Sequence, residues 1–278
     1  MDRVPEYIAL RFVILHYHIL KNAGTTIENI LDRNFGDRFA RLDTPDRDGR
    51  IEQAGILSYL AAHPRVQALS SHQIHYPVPA APGYIFFDLC FLRDPIDRLR
   101  STYDYFRQRP SEGDPLSDAA NSLAFGEFFR CLLERFPEQV DNPQVNLLAN
   151  GEADRETVPE DLAPAVKRML QTSFLGVVDC FDQSMIAGQS LLRVVFPALD
   201  CSYQPANVSR GLGGTMASRR AQFQEACGRT VYAELLRQSA LDCRLVRAAR
   251  AEVRRRFAMV PDGASQLARL KERAHATH

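Results

Sequence analysis

A lysine three residues ahead of a glycine, with two threonines behind it, marks the first place where this chain could do chemistry: His18-Ile19-Leu20-Lys21-Asn22-Ala23-Gly24-Thr25-Thr26. The segment follows a short apolar run and precedes a helical pattern. Backbone N–H groups and a helix dipole then converge on one point, which makes an anion site. Gly24 admits close approach of a phosphate, and Thr25 and Thr26 add hydroxyl donors. Lys21 carries weight because only three of the 34 basic residues are lysines, the others being Lys167 and Lys271. A compact, rotatable ammonium suits a single oxygen where a planar guanidinium does not. In P-loop NTPases the lysine directly follows the last glycine; here it precedes Gly24, so it is expected to reach a different oxygen. An ordinary strand-to-helix turn with a surface lysine has the same outline, and both readings stay open on the loop alone.

The second constellation is Leu92-Arg93-Asp94-Pro95-Ile96-Asp97-Arg98-Leu99-Arg100-Ser101-Thr102-Tyr103. Arg93 stands where an apolar strand ends, the usual ligand edge of an open α/β sheet. Ser101 lies about two turns into the following helix, so a guanidinium and a hydroxyl can share one phosphate. The competing reading is a capped helix whose arginines pair with Asp94, Asp97 and Asp104, and Arg98 and Arg100 are assigned to it.

These residues need strands to carry them. Ala9–His16 is dense enough in apolar residues for a buried parallel strand. Thr25 and Glu28 fit a capping box and Gly36 a helix stop, giving strand, loop, helix. Ile51–Ala62 reads as a helix and Val66–Ser70 as a short strand. Tyr84–Leu92 is the strongest strand, and Asp94-Pro95 caps the helix after it, to about Arg107. Helical patterns follow over Leu123–Phe136, Gln144–Ala149, Asp161–Thr172, Ser184–Val195, Ser218–Cys227 and Tyr232–Phe257, with one further strand at Phe174–Val178. The last twenty residues read as a polar, frayed tail.

Composition bounds the partners. The 278 residues carry 34 basic and 34 acidic side chains, for zero net charge, which excludes a bulk nucleic-acid or membrane-surface binder; any basic site is local. No stretch approaches the ~18 apolar residues of a membrane span, and the first ten residues do not form a secretion signal. The six cysteines contain no CxxC pair and read as isolated thiols of a reducing compartment. A cytoplasmic, bacterial protein is expected.

Taken in order, the motifs resemble those of the sulfotransferases that use 3′-phosphoadenosine 5′-phosphosulfate, in particular the carbohydrate branch of sulfotransferase family 2 that includes heparan 2-O-sulfotransferases. The loop at His18–Thr26 is similar to that family's His-Ile-Pro-Lys-Thr-Ala-Gly-Thr, with Leu20 for the proline and Asn22 for the threonine. Leu92–Tyr103 resembles its Leu-Arg-Asp-Pro-x-x-Arg-x-x-Ser-x-Tyr segment. Asn142-Pro143-Gln144, followed by Leu148, resembles Asn-x-Gln-x-x-x-Leu; Phe174–Ser184 resembles Phe-Val-Gly-Leu-x-Glu-x-Phe-Asp-x-Ser; Asn207-Val208-Ser209 resembles a later Asn-Val-Ser.

The resemblance implies an α/β three-layer fold of the P-loop kinase-like type, with a central parallel sheet and helical additions, in a single domain over residues 1–278 with its core at about 10–258. It implies that Lys21, Asn22, Ala23, Gly24, Thr25 and Thr26 hold the 5′-phosphosulfate, that Arg93 and Ser101 hold the 3′-phosphate, and that Ser209 and Arg210, in a Gly-rich stretch, close over the nucleotide. Lys21 is also expected to act in catalysis. For the general base the resemblance points to His72, in Ser70-Ser71-His72-Gln73-Ile74-His75, with His75 as its alternative; His16 and His18 read as packing. Gly176 and Phe181 read as fold residues. No metal is required, because Lys21 and backbone donors can carry the leaving-group charge. The implied acceptor is a hydroxyl of a saccharide or glycolipid, and the implied reaction is sulfuryl transfer. A small-molecule kinase of the same fold class and a nucleotide-binding module without catalysis are the alternatives; Arg93-Asp94 keeps the kinase open by supplying an Asp at a strand end.

Overall fold

A computed structural model describes residues 10–45, 49–110, 113–149, 155–203 and 214–276. Its centre is the strand β1 (Arg11–Tyr17), which passes through the loop 18–23 into helix α1 (Gly24–Phe35). β1 is apolar throughout its middle because both faces are covered: Ile14 packs under α1 with Ile27, Ile30 and Leu31, while Val13, Leu15 and Tyr17 point into the opposite layer. Next come β2 (Phe39–Arg41), α2 (Gln53–Ala62), β3 (Ala68–Ser71), β4 (Tyr84–Leu92) and α3 (Pro95–Arg107). The middle of the chain forms α4 (Pro115–Ser122), α5 (Phe125–Arg135), α6 (Pro143–Ala149) and α7 (Leu162–Gln171), and β5 (Phe174–Val177) completes the strands. The chain ends in α8 (Phe181–Leu192), α9 (Met216–Cys227), α10 (Arg229–Gln238), α11 (Ala240–Ala258) and α12 (Gly263–Ala276).

Among the described residues the strands form one parallel sheet in the order β2-β3-β1-β4-β5. The α/β three-layer architecture expected from the sequence is the one observed. One face buries α1 and α8, through residues such as Leu31 and Met185; the other buries α2, α6, α7 and α11, through Ile56, Leu148, Met169 and Val246. A third cluster, built on Leu99, Phe128, Phe129 and Phe223, joins α3 to α5 and α9 beside the sheet. Gly176 is fixed by this packing, since a Cβ there would stand 2.2 Å from the Phe91 ring. No helix among the described residues is long and apolar enough to cross a membrane.

The order of strands places the site. β1 lies between β3 and β4, and Tyr17 is in register with Ser71 on one side and Cys90 on the other. The chain leaves β1 toward one edge and later crosses to the other, so the carboxyl ends of β3, β1 and β4 flank a topological switch point, where open α/β sheets bind ligands. His72, His18 and Arg93 are the residues that leave those ends.

Four local expectations are corrected. Thr25 and Glu28 do not form a capping box: Ala23, in the left-handed region at φ 65°, precedes α1 without a side-chain cap, because Glu28 is drawn away by His18, Ser70 and Arg41. The helix expected over Tyr232–Phe257 is two, broken at Ser239, since the Asn142 amide oxygen takes the N–H groups of Leu241 and Asp242 and starts α11 afresh. The tail is not frayed through its length: α12 forms and packs on α8, with Leu267 and Leu270 half-buried. The short β2, absent from the sequence reading, pairs with β3.

Candidate active site

The loop after β1 is bent by two residues at positive φ, Lys21 and Ala23, both at 65°. That geometry is uncommon for residues with a Cβ, and buried hydrogen bonds hold it. The Asn22 side chain is buried and its amide N–H groups donate to Phe91 O at 2.8 Å and Gln144 Oε1 at 2.9 Å. Asn22 therefore turns into the sheet and offers only its backbone to a ligand. Gln144 Oε1 also accepts from Arg93 N at 2.9 Å, and its amide nitrogen donates to Arg93 O at 2.9 Å and to Asp242 Oδ2 at 3.1 Å. One buried glutamine thus ties the β1 loop, the end of β4 and the start of α11 together. Asp242 completes the knot by accepting from the N–H groups of Gln144 and Val145 at the start of α6. Burial raises the pKa of Asp242 despite nearby Arg98 and these N–H donors.

Arg93 crosses to the loop, donating from Nη1 to Lys21 O at 2.8 Å and from Nε to Asp97 Oδ2 at 2.7 Å. Asp97 also receives Arg219 at 3.0 Å. Lys21 stands with Nζ 4.1 Å from the centre of the Tyr105 ring, a cation–π contact. Burial, and then the positive charge of Arg93, bring its pKa down to about 8, with Asp104 opposing. A lysine beside a guanidinium in this way forms a place for an anion. At the start of α1 the N–H groups of Gly24 and Thr25 have no intrahelical acceptor. Thr25 is exposed there and Thr26 is buried; Ser101 is buried on α3. Asp94 caps α3 through the N–H groups of Ile96 and Asp97 and pairs with Arg220 at 2.6 Å and Arg250 at 3.2 Å. Arg100 pairs with Asp104 as expected. Arg98, instead of meeting an aspartate on its own helix, runs inward to Gln139 O. Ser209 and Arg210, with the Asn207–Ser209 motif and the Gly-rich stretch, lie outside the described residues.

On the other side of β1 three histidines stack. The His16 and His18 rings are 5.1 Å apart, and those of His18 and His72 3.8 Å. His72 Nδ1 lies 3.0 Å from Asp43 Oδ2, while Asp43 Oδ1 accepts from His72 N at 2.9 Å and Ser71 Oγ at 3.0 Å. Burial works against the Asp43 charge, but these hydrogen bonds outweigh it and lower its pKa. A carboxylate fixed in this way accepts a hydrogen bond from the Nδ1–H tautomer and favours the lone pair on Nε2. His18 Nδ1 meets Glu28 Oε1 at 3.1 Å. Burial opposes the Glu28 charge too, and hydrogen bonds from His18, Arg41 and Ser70 overcome it, holding the carboxyl well below its usual range. Burial lowers the pKa of both His18 and His16. His18 Nε2 lies against α1, 1.7 Å from where a Cβ on residue 24 would be, so Gly24 is needed to seat this ring as well as to admit a ligand.

His18 thus lines a cleft as well as packing against α1. The sequence hid this because the turn that folds Glu28 back onto His18 is set by the positive-φ residues Lys21 and Ala23. Asp43 had no signal either; it is placed by β2, where Leu42 N donates to Ser70 O at 2.9 Å. Ligand atoms of His16, His18 and Glu28 lie within 4.8 Å of one another and could close on a metal ion; their bonds to each other and to Ser70 already satisfy them.

A cleft of about 1310 Å³ opens on this histidine side. His18 and His72 line it together with His75, the segment before α6, α6 itself, and the junction of α10 with α11. His75 is also on the wall, so both candidate bases face the same space.

Comparison with known proteins adds to this geometry. The model of the sulfotransferase family matches residues 7–150, which include the β1 loop, both histidines, Arg93, Ser101 and Gln144. A protein of Archaeoglobus fulgidus described as an uncharacterized protein is 26% identical over 234 residues, covering 81% of this chain and 91% of its own.

Proposed function

The chain belongs to the sulfotransferase family, and from that premise we propose that it transfers the sulfuryl group of 3′-phosphoadenosine 5′-phosphosulfate to a hydroxyl of a saccharide. The observation that carries this reading is the division at the carboxyl edge of the sheet. Lys21 and Arg93 lie on the β4 side of β1 near Thr25, exposed at the start of α1, and His72, held through Nδ1 by Asp43, lies on the β3 side and lines a large cleft. The family implies this donor, and the cation pair suits its phosphates.

The acceptor oxygen approaches sulfur from the cleft. A new S–O bond forms, the bond from sulfur to the 5′-phosphate oxygen breaks, and the hydroxyl proton passes to His72 Nε2. Adenosine 3′,5′-bisphosphate leaves. Lys21 and the N–H groups of Gly24 and Thr25 stabilise the charge that develops on the leaving phosphate oxygen. Arg93 and Ser101 hold the 3′-phosphate, with Ser209 and Arg210 as further contacts. Asp43 fixes the tautomer of His72 and stabilises its charged form after transfer. Residues 1–278 act as one sulfotransferase domain in this reading.

A kinase needs a carboxylate to hold magnesium at the nucleotide. Asp94, the acid at the end of β4, is instead committed to a helix cap and two guanidiniums. The test is a transfer assay with the phosphosulfate donor and a mixture of oligosaccharides, followed by mass spectrometry. Sulfated product and adenosine 3′,5′-bisphosphate should form in equal amounts, with magnesium chelated. Transfer only from ATP, and only with magnesium, would establish the kinase instead.

A further inference from the structure

His72 is loosely held for a base. Its side chain is 44% exposed, and that of Asp43, the partner of its Nδ1, is 40% exposed. One hydrogen bond at one edge of an imidazole selects a tautomer. It does not fix the plane of the ring, and so does not fix the line along which Nε2 meets a hydroxyl, on which proton transfer depends. The second restraint is the ring of His18, which stacks on His72 at 3.8 Å with the two planes 29° apart.

His18 is the rigid member of this pair. Its side chain is 9% exposed, its Nε2 is wedged against Gly24 at the start of α1, and the His16 ring lies behind it. Nδ1 lies 3.1 Å from Glu28 Oε1, and Glu28 is held in turn by Ser70 Oγ and Arg41 Nε, each at 2.8 Å. That carboxyl is charged, so it accepts from His18 Nδ1–H. It also accepts the only proton of the Ser70 hydroxyl, so the 2.8 Å contact of Ser70 Oγ with His16 Nδ1 runs from the imidazole to the hydroxyl. Burial lowers the His18 pKa and the neighbouring His72 lowers it further, against Glu28 and Asp43. His18 is then a neutral ring with both nitrogens committed, and it does not compete with His72 for a proton. When His72 takes one, the imidazolium lies over a neutral face with a carboxylate at its far edge, and a cation is attracted to such a face.

We propose that His18 is a positioning residue for sulfuryl transfer: its ring is the platform that aims His72 at the acceptor hydroxyl and steadies the imidazolium formed there. This rests on the sulfotransferase reading with His72 as base, and it adds to that reading a residue that acts only through His72. The acceptor proton stops on His72 Nε2, and none passes to His18.

Turnover at saturating phosphosulfate donor, with the same oligosaccharide mixture as acceptor, tests it in two variants of similar bulk. His18→Phe keeps a ring face for His72 and His18→Leu does not. Both lose the hydrogen bond to Glu28, so a role confined to the fold would move them alike. His18→Leu should lower kcat about tenfold, within the range expected of a cation held on a ring face, and His18→Phe should retain most of the parental kcat. The donor KM, and bisphosphate affinity by calorimetry, should be unchanged in both. Because His18 acts through His72, adding His18→Leu to His72→Ala should cost nothing further. Equal turnover of the Phe and Leu variants, loss of bisphosphate binding in either, or an undiminished Leu penalty in the His72→Ala background would overturn the proposal. So would a fall in His18→Phe as deep as that of His72→Ala, which would make His18 the base. No transfer by the unaltered protein counts against the sulfotransferase reading and takes this inference with it, whereas normal transfer by that protein with any of those results counts against this inference alone.

Discussion

The two sides of β1 have opposite chemistry. Toward β4, cations crowd together: Arg93 donates to the Lys21 backbone, and Arg219 meets Arg93 on one carboxylate. Toward β3, carboxylates hold the histidines that line a large cleft. Both sides start from the same sheet edge. The difference is set by what each flanking strand delivers: β4 ends in an arginine, and β3 ends against Asp43 and the cleft. A sheet of this kind can hold a polyanionic nucleotide on one side and deprotonate a hydroxyl on the other without mixing the two charge environments.

The largest effect is expected from breaking the histidine side alone. His72→Ala should lower kcat by about 10²–10⁴-fold, the usual contribution of a general base, with bisphosphate affinity unchanged by calorimetry. Asp43→Asn should lower kcat by less and keep the same affinity, since it disturbs the tautomer and not the group. His75→Ala should retain most activity. Loss of turnover in His75→Ala with normal turnover in His72→Ala would move the base by three residues.

Breaking the cation side should give a smaller but different effect. Lys21→Ala should lower kcat by roughly 10²-fold, as for removal of one donor to a developing oxyanion, and weaken bisphosphate binding by less. Lys21→Arg should rescue poorly. The depressed pKa adds a pH signature. Below about 8 the Lys21 ammonium is charged and attracts phosphate; above that it is neutral in the free protein. Bisphosphate affinity should therefore fall as pH rises through about 8, and Lys21→Ala should flatten that profile. An unchanged profile in the variant would assign the titration to another group.

The smallest effect on chemistry, and a clear one on stability, is expected where the two sides are joined. Gln144 is fully buried and holds Asn22, Arg93 and Asp242. Gln144→Ala leaves those groups unpaired and should destabilise the fold by about 3 kcal/mol or more, at ~1–3 kcal/mol for each buried group left unsatisfied. Denaturant midpoints measure this, and an unchanged midpoint would show that the knot is relieved by other contacts.

This seam also shows what the sequence could reveal. β1, the strongest strand Tyr84–Leu92 and the cap at Asp94-Pro95 were readable because apolar runs and capping residues act over neighbours in the chain. Arg93 was placed correctly at a strand end for the same reason. The reciprocal capping of α6 and α11 by Asp242 and Asn142 spans about a hundred residues and left no local trace beyond the Asn-x-Gln motif. The Asp43–His72 pair was likewise invisible, since it depends on the pairing of β2 with β3, and the Glu28–His18 pair depends on how the loop after β1 folds back on α1. The capping-box reading of Glu28 failed because a tertiary partner outcompeted a local one.

The central claim is that the cation side is built for a nucleotide with a 3′-phosphate, and calorimetry with adenosine 3′,5′-bisphosphate and with AMP tests it directly. Arg93 and Ser101 should make the bisphosphate bind at least about tenfold more tightly, because losing charge-assisted hydrogen bonds to the 3′-phosphate costs at least that much. Equal affinity for the two nucleotides would contradict the account.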